Sequence, residues 1–226
     1  MGELTASLAH EIKQPIAAAI TNANTCLRWL SRDQPDLEEV RAAALRIVQD
    51  ARRAGEIVNQ VRLLFQKDAL QRELADLNKI IREILLLVHG EATQFAVFVR
   101  TELAADLPEV MGDRVQLQQV LMNLMMNSIE AMRDVDGTRE LTIKSKRGEN
   151  GQALISISDT GVGLPQQHAD QIFNAFFTTK PHGTGMGLRI SQSIIESHGG
   201  RLWASDCSPR GATFQFSLPA TAAAHA

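Results

Sequence analysis

The stretch FFTTKPHGTGMGL, residues 176–188, places three glycines at alternate positions where a helical pattern, LRISQSIIESHG, begins. A glycine loop that leads into a helix N-terminus offers free backbone amides and a favourable dipole to phosphate. Gly183, Gly185 and Gly187 are therefore candidate phosphate-binding residues, and Lys180 either adds a cation to them or is an ordinary solvated charge. The spacing does not match GxGxxG, and no GxxxxGK sequence followed by Ser or Thr occurs, which excludes a dinucleotide fingerprint and a P-loop.

A second glycine-containing stretch, SDTGVGLP at residues 158–165, follows a strand-like pattern that ends at Asp159. A turn would explain both the aspartate and the glycines after it. Alternatively, the carboxylate of Asp159 accepts a hydrogen bond from a planar base, while Gly161 and Gly163 let the backbone come close. The stretch alone does not decide between the two interpretations.

A third stretch, QVLMNLMMNSIEAM at residues 119–132, has the pattern of a helix that carries two asparagines. Asn123 and Asn127 are four residues apart and so project from one face. Asparagine is a mediocre helix former, so the pair serves either capping and buried hydrogen bonding or the binding of a ligand. An amide oxygen is a suitable ligand for magnesium, which prefers oxygen donors.

Composition limits the classes to which the chain can belong. Its 226 residues are 44% hydrophobic and 22% charged, as in a soluble globular protein of one or two domains. The net charge of -3 and the lack of a basic run argue against nucleic acid and against membrane contact by this segment. The absence of a secretory pattern favours a cytoplasmic location, and a membrane anchor elsewhere in a longer parent stays open. Cys26 and Cys207 form no CxxC pair, so no disulfide or zinc site is expected.

Residues 1–68 have the apolar spacing of two helices. From Leu37 to Phe65 the apolar positions alternate in steps of three and four, which is the pattern of a coiled-coil seam. The segment SRDQPD at residues 31–36 separates the helices and supplies Asp33 as a possible cap. We expect an antiparallel helical hairpin. Because two helices cannot bury such wide seams alone, we also expect a homodimer that forms a four-helix bundle.

Beyond the polar stretch QKDALQREL, helical and strand-like patterns alternate. Helices are predicted at about 77–91, 113–133 and 185–198, and the strand-like runs are FAVFVRTEL, RELTIKSK, ALISISD, RLWASD and ATFQFSL. Several strands are adjacent in sequence, which predicts an α+β unit with an antiparallel or mixed sheet and helices on one face. The expected domains are a hairpin at 1–68, a linker at 69–73, an α+β domain at 74–219 and a tail at 220–226.

The ordered motifs, from the asparagine pair through DTGVG and FFTTK to GTGMGL, resemble the ATP-binding domain of the GHKL superfamily of sensor histidine kinases, gyrases, heat-shock chaperones and mismatch-repair ATPases. This resemblance implies an α/β sandwich that holds Mg-ATP under a lid at about 161–186. It implies that Asn127 binds Mg²⁺, with Asn123 nearby on the phosphates, and that Asp159 reads adenine. The implied nucleotide-binding residues are Asn123, Asn127, Asp159, Gly161, Gly163, Lys180, Gly183, Thr184, Gly185, Gly187 and Leu188.

The stretch SLAHEIKQP, residues 7–15, lies in the first predicted helix. A helical hairpin with this motif ahead of such an ATP-binding domain resembles the core of sensor histidine kinases of the HExxQP subgroup, such as nitrogen-fixation oxygen sensors and dicarboxylate sensors. The resemblance implies that ATP phosphorylates His10 and that the phosphoryl group passes to an aspartate in the receiver domain of a response regulator. Glu11 would orient the imidazole and accept its proton. Gln14, one turn beyond His10, would position a water for phosphatase activity on the regulator.

Two rival functions stay open from the sequence. An ATP-gated clamp would hydrolyse ATP without forming a phosphoprotein and without needing His10. A nucleotide-binding dimer scaffold would bind ATP without turnover.

Overall fold

A computed structural model describes residues 2–65, 72–165, 171–180, 184–207 and 210–221, with the backbone alone for 2–12, 52–53 and 56–65. The chain forms two compact units, residues 1–66 and 67–226. Among the described residues, no helix combines the length and the apolar character that crossing a membrane requires.

The first unit is a hairpin of two helices, α1 at Gly2–Leu30 and α2 at Leu37–Phe65. Helix α1 continues through Pro15. The cap of α2 is Asp36 and not Asp33, because α2 begins at Leu37 and Asp36 Oδ1 accepts hydrogen bonds from the amides of Glu38 and Glu39, each at 3.1 Å. The two glutamates also suit the positive end of the helix dipole.

Polar contacts show that the two helices are antiparallel. Asn22 Nδ2 donates to Asp50 Oδ2 at 3.1 Å, and Cys26 Sγ donates to the carbonyl oxygen of Val40 at 3.4 Å, so later residues of α1 contact earlier residues of α2. Ala43 is fully buried in the hairpin. Several large apolar side chains of the hairpin are nevertheless exposed: Ile16, Ile20, Leu27, Leu30, Leu37, Leu45 and Val48. The expected hairpin is confirmed, and a single copy leaves much of its apolar surface uncovered.

The second unit packs helices against a five-stranded mixed sheet. Its helices are α3 at Leu77–Gln94, α4 at Arg114–Ala131 and α5 at Gly187–Ser197. Its strands are β1 at Glu73–Ala75, β2 at Phe98–Leu103, β3 at Val110–Gly112, β4 at Glu140–Arg147, β5 at Ala153–Asp159, β6 at Arg201–Asp206 and β7 at Ala212–Leu218. The sheet order is β2-β4-β5-β7-β6, with β2 and β4 parallel and the other pairs antiparallel. The expected α/β architecture with a mixed sheet is confirmed.

The residues of the central strand β5 alternate between the two faces of the sheet. Ala153, Ile155 and Ile157 are fully buried, and Asp159 continues the same alternation as the last residue of the strand. The buried face carries the core, which includes Leu121 and Phe216. The period of two therefore directs the carboxylate of Asp159 into the interior instead of toward solvent.

The start of the second unit differs from the expected pattern in two places. Glu73, expected in the linker, already pairs with Gly112 in the two-stranded sheet of β1 and β3. The predicted strand FAVFVRTEL begins at Phe98 and not at Phe95, because α3 extends to Gln94 and Ala96 adopts a φ of 53°, which is incompatible with a strand.

A buried histidine joins the end of α5 to the start of α4. His198 Nε2 accepts a hydrogen bond from the backbone amide of Asp113 at 2.9 Å, and His198 Nδ1 lies 2.7 Å from the carbonyl oxygen of Ile194. One ring nitrogen accepts and the other donates, which is the pattern of a neutral imidazole. His198 is thereby a structural residue of this unit.

Candidate functional site

One carboxylate oxygen of Asp159 is hydrogen-bonded within the protein, and the other is available to a ligand. The residue is 2% exposed, and Oδ1 accepts hydrogen bonds from the amides of Gly161 at 2.8 Å and Ala212 at 3.3 Å. Oδ2 has no hydrogen-bond partner among the described residues. Burial raises the pKa of the Asp159 carboxyl above its ordinary value, and the amides of Gly161 and Ala212 oppose that rise. The second oxygen is thus available to a donor from a ligand.

Glycines allow two loops to close around Asp159. A Cβ on Gly161 would lie 2.7 Å from the carbonyl oxygen of Ala131 and 2.8 Å from Asp159 Oδ1. Gly163 and Gly211 have φ values of 82° and 107°, which favour glycine. A Cβ on Gly211 would lie 1.9 Å from the carbonyl oxygen of Asp159. The loop after β5 and the turn before β7 therefore depend on the absence of side chains.

The two asparagines of α4 form a hydrogen-bonded relay. Asn123 Nδ2 donates to Ser191 Oγ on α5 at 2.9 Å, and Asn127 Nδ2 donates to Asn123 Oδ1 at 3.4 Å. This relay turns Asn127 Oδ1 toward Lys180, whose Nζ lies 2.9 Å away. The N-cap of α4 is Asp113, so neither asparagine caps this helix. Asn123 acts as a support, and Asn127 offers its amide oxygen to a cation.

Lys180 is not an isolated solvated charge. Its Nζ donates to Asn127 Oδ1 and forms an ion pair with Glu130 Oε2. The side chains of Lys180 and Glu130 are 39% and 43% exposed, so the ion pair adds little to stability. The contacts of the ammonium group instead show that the side-chain oxygens of Asn127 and Glu130 can hold a cation beside α4.

The N-terminus of α5 has the properties of an anion site. The helix begins at Gly187, and its N-cap residue, Met186, provides no side-chain hydrogen bond to the first amides. Such amides have no intrahelical acceptor and can bind an anion. Gly185 has a φ of 64°, and a Cβ there would lie 2.3 Å from the carbonyl carbon of Phe176. A Cβ on Gly187 would lie 2.4 Å from Asn123 Oδ1, so this glycine keeps α5 close to α4.

Thr184 and Leu188, two further predicted residues, lie on either side of the first residue of α5. Thr184 Oγ1 accepts a hydrogen bond from the amide of Met186 at 3.4 Å, and Leu188 is half-buried in the first turn of α5. Gly183 lies outside the described residues.

The predicted phosphotransfer residues lie in the other unit. His10 and Glu11 belong to α1, and their side chains lie outside the described residues. Gln14 is exposed on α1, one turn beyond His10. Residues four apart share a helix face, so Gln14 and His10 lie on one side of α1.

Comparison with known proteins decides the family. Residues 1–70 match the His Kinase A (phospho-acceptor) domain, and residues 112–222 match the histidine kinase-, DNA gyrase B-, and HSP90-like ATPase domain. The catalytic domain of histidine kinase ThkA is 31% identical, and the similarity covers 67% of this chain and 99% of that domain with a TM-score of 0.60. The chain belongs to the sensor histidine kinase family.

Relatives of this kinase core match along almost its whole length. It is 39% identical over 221 residues to sensor histidine kinase TmoS of Ectopseudomonas mendocina and 38% identical over 221 residues to sensor protein FixL of Bradyrhizobium diazoefficiens. Each alignment covers 97% of this chain, which spans 23% of TmoS and 44% of FixL. Histidine kinase ThkA in complex with response regulator protein TrrA is 28% identical, with a TM-score of 0.73 over 97% of this chain and 62% of that chain. The ATPase domain implies that the second unit uses ATP.

Two residues of the candidate site were not predicted from the sequence. Gly211 precedes the strand ATFQFSL, and its contact with Asp159 joins segments 52 positions apart, which no local pattern reveals. Glu130, the partner of Lys180, lies three residues after Asn127. That spacing puts both on one face of α4, so helical geometry could have identified Glu130 as a member of the site.

Proposed function

We propose that this chain is the catalytic core of a homodimeric sensor histidine kinase. ATP phosphorylates His10, and the phosphoryl group passes to an aspartate in the receiver domain of a response regulator. One observation carries the proposal: the available oxygen of Asp159 and the cation-facing amide oxygen of Asn127 occur together in one ATPase domain. That domain follows a phospho-acceptor hairpin in the same chain. A complex of ThkA with a response regulator protein supports the choice of partner.

The nucleotide lies between α4, β5 and the start of α5 in this proposal. Asp159 Oδ2 accepts a hydrogen bond from the amino group of adenine, and Gly161 and Gly163 let the loop approach the base. The phosphates face the first amides of α5, where the helix dipole favours negative charge. The residues assigned to the phosphate side are Asn123, Lys180, Gly183, Thr184, Gly185, Gly187 and Leu188.

We assign Mg²⁺ to the amide oxygen of Asn127. This oxygen accepts a hydrogen bond from the ammonium group of Lys180, so it is oriented toward a cation. Mg²⁺ prefers oxygen ligands and keeps waters and phosphate oxygens as its other partners. When bound, it neutralises charge on the phosphates. Lys180, which also forms an ion pair with Glu130, would donate to phosphate oxygens, which are stronger acceptors than an amide.

His10 acts as the nucleophile on α1. A neutral imidazole has one ring nitrogen with a free lone pair, which can attack the γ-phosphoryl group of ATP. Glu11 orients the ring and accepts its proton, and Gln14 positions a water for hydrolysis of the phosphorylated regulator. The segment works in the cytoplasm, where ATP is available.

The hairpin forms a dimer in this proposal. The exposed side chains of Ile16, Ile20 and Leu27 on α1, and of Leu45 and Val48 on α2, are the surface that a second copy would cover. Burying such side chains is worth about 1.5–3 kcal/mol each. The proposed dimerisation domain spans residues 1–68, and the linker that follows ends before β1, which begins at Glu73.

Labelling with gamma-labelled ATP and magnesium tests the proposal. The wild-type chain should acquire an acid-labile, base-stable label, because a phosphoramidate has these properties. His10→Gln should abolish the label, whereas His89→Gln, at an exposed position of α3, should retain it. Label that persists in His10→Gln would refute the assignment of His10. Hydrolysis without label would favour the clamp, and binding without turnover would favour the scaffold.

A further inference from the structure

Three buried side-chain oxygens have no hydrogen-bond partner among the described residues: Gln116 Oε1, Ser128 Oγ and Asp159 Oδ2. Ser128 and Asp159 are 0% and 2% exposed. A buried polar atom without a partner loses its hydration and gains nothing in return. Two such atoms in one site therefore indicate a polar group that both would contact.

Ser128 and Asp159 belong to adjoining segments. Ser128 directly follows Asn127 on α4 and lies one turn before Ala131. The carbonyl oxygen of Ala131 accepts a hydrogen bond from the amide of Val162 at 3.2 Å, which joins this turn of α4 to the loop after Asp159. The Ser128 hydroxyl also opposes the rise in the pKa of the Asp159 carboxyl, as a neighbouring donor does.

The hydrogen bonding of the Ser128 hydroxyl differs from that of other Ser and Thr hydroxyls in the helices of this protein. Thr21 and Thr25 each donate to the carbonyl oxygen one turn back at 2.9 Å, and Ser197 donates to that of Ile194 at 2.7 Å. This bond to the preceding turn is the usual solution for Ser and Thr in helices. The hydroxyl of Ser128 makes no such bond, although it is fully buried. Outside the helix its neighbour is the Asp159 carboxyl, with which it makes no hydrogen bond of ordinary geometry, so the hydroxyl can donate to a ligand acceptor beside Asp159.

We propose that Ser128 is a second adenine-reading residue, whose hydroxyl donates to N1 of the base directly or through one ordered water. The inference rests on the proposed binding of ATP at this site. The edge of adenine presents an amino donor beside the N1 acceptor, and Asp159 Oδ2 with the Ser128 hydroxyl presents an acceptor beside a donor. Guanine and hypoxanthine present an oxygen acceptor to Asp159 Oδ2, which is also an acceptor, so Asp159 selects against these bases. The Ser128 hydroxyl adds a contact with N1 and not this selection, because it can also accept from an N1–H group.

A ligand-reading serine and a structural serine respond differently to alanine. In the nucleotide-free protein, Ser128→Ala introduces a better helix former but removes a hydroxyl that favours the ionised Asp159 carboxyl, so the thermal midpoint should change little. Ser145 is the matched control, since it is buried on β4 with its hydroxyl donating to Asn78 Oδ1 at 2.8 Å and accepting from the amide of Ala104 at 3.0 Å. Ser145→Ala should lower the thermal midpoint.

Calorimetric titration of the 226-residue chain with ADP, 1-deaza-ADP and 7-deaza-ADP tests the contact with N1. The wild type and Ser145→Ala should bind 1-deaza-ADP about tenfold more weakly than ADP, because the analogue lacks the acceptor for a buried donor. Ser128→Ala should bind ADP and 1-deaza-ADP equally, and the ratio of ADP to 7-deaza-ADP should be the same in all three proteins.

Two results would overturn the role of Ser128. One is a full preference for ADP over 1-deaza-ADP in Ser128→Ala, and the other is an equal affinity of the wild type for both. In either case ADP binding itself would leave the proposed kinase function standing. A wild-type chain that binds no adenine nucleotide would instead refute the nucleotide site and the inference with it.

Discussion

The two units of this kinase core bury apolar surface to different extents. In the ATP-binding unit, Leu121 and Ile129 of α4 are fully buried, and Phe216 of β7 is 1% exposed. In the hairpin, Ile20 and Leu27 are 57% and 63% exposed. The ATP-binding unit therefore has a buried core of its own, although Leu86 and Val115 at its surface are exposed, whereas Ala43 is the one hydrophobic side chain buried in the described part of the hairpin. This difference supports the proposed dimer of the hairpin. Substitutions in one unit should impair nucleotide binding, and substitutions in the other should impair assembly.

The largest effect is expected from Gly211→Ala. The new Cβ would lie 1.9 Å from the carbonyl oxygen of Asp159, so β5 and the turn before β7 must separate. We expect a loss of more than about 4 kcal/mol in the stability of the ATP-binding unit, together with loss of ADP binding. Chemical denaturation and calorimetric titration measure these two effects.

Gly137→Ala provides the matched control, because Gly137 also has a positive φ of 93° but nothing lies within 4 Å of the added Cβ. It should cost only about 1–2 kcal/mol through backbone strain. Both variants should keep the mass of the wild-type assembly. Equal losses of stability would contradict the steric account of Gly211.

Leu27→Glu should affect only the hairpin. A charge at this position would be buried on association, so the variant should be monomeric at micromolar concentration where the wild type is dimeric, as judged by light scattering. The lost burial of leucine is worth roughly 2–3 kcal/mol per copy. ADP affinity should not change. Leu86→Glu, at a position of α3 that is 78% exposed, should leave the mass unchanged. A dimeric Leu27→Glu chain would exclude this face as the interface.

His198→Ala should destabilise the ATP-binding unit by roughly 2–4 kcal/mol. The substitution leaves the amide of Asp113 without its acceptor and opens a cavity between the ends of α4 and α5. Thermal unfolding should show the loss, while the dimer of the hairpin persists. His89→Ala, on the exposed face of α3, should change stability by less than about 0.5 kcal/mol. Comparable losses in both variants would contradict the role given to His198.

Asp159 should make nucleotide affinity sensitive to pH. Because burial raises its pKa, the folded protein binds this proton more readily than the unfolded chain, and the cost of burying the ionised form disappears as the pH falls below the ordinary value. The hydrogen bond to adenine needs the ionised form. ADP affinity should therefore fall by up to about tenfold per pH unit below the raised pKa. Asp159→Asn should bind ADP weakly, and its affinity should not depend on pH in this way. The same pH dependence of ADP affinity in the wild type and in Asp159→Asn, measured by calorimetric titration, would contradict this role of Asp159.

Local patterns were sufficient to predict the elements whose residues repeat with a regular period. The strands RLWASD and ATFQFSL match β6 and β7, and the helix predicted at 113–133 matches α4 within two residues at each end. The three-residue strands β1 and β3 were missed, because so short a segment has no measurable period. Ala96, with its positive φ, could not be anticipated because alanine has no preference for that conformation.

The residues of the candidate site were predictable where the residues that act together are also close in the sequence. Asp159 with Gly161, and Asn123 with Asn127, are close in sequence and in space, so spacing was sufficient to group them. Gly211 and the ion pair of Glu130 with Lys180 depend on packing between distant segments. The unpaired state of Ser128 is a property of the folded interior, and no sequence pattern carries it.

A rapid-quench single turnover shows whether the γ-phosphoryl group of ATP is transferred to His10. ADP released and phosphohistidine formed are measured together in the wild type and in His10→Gln. We expect equal amounts of the two products in the wild type during the first turnover, and neither product in His10→Gln. ADP released by His10→Gln at the wild-type rate would contradict this expectation.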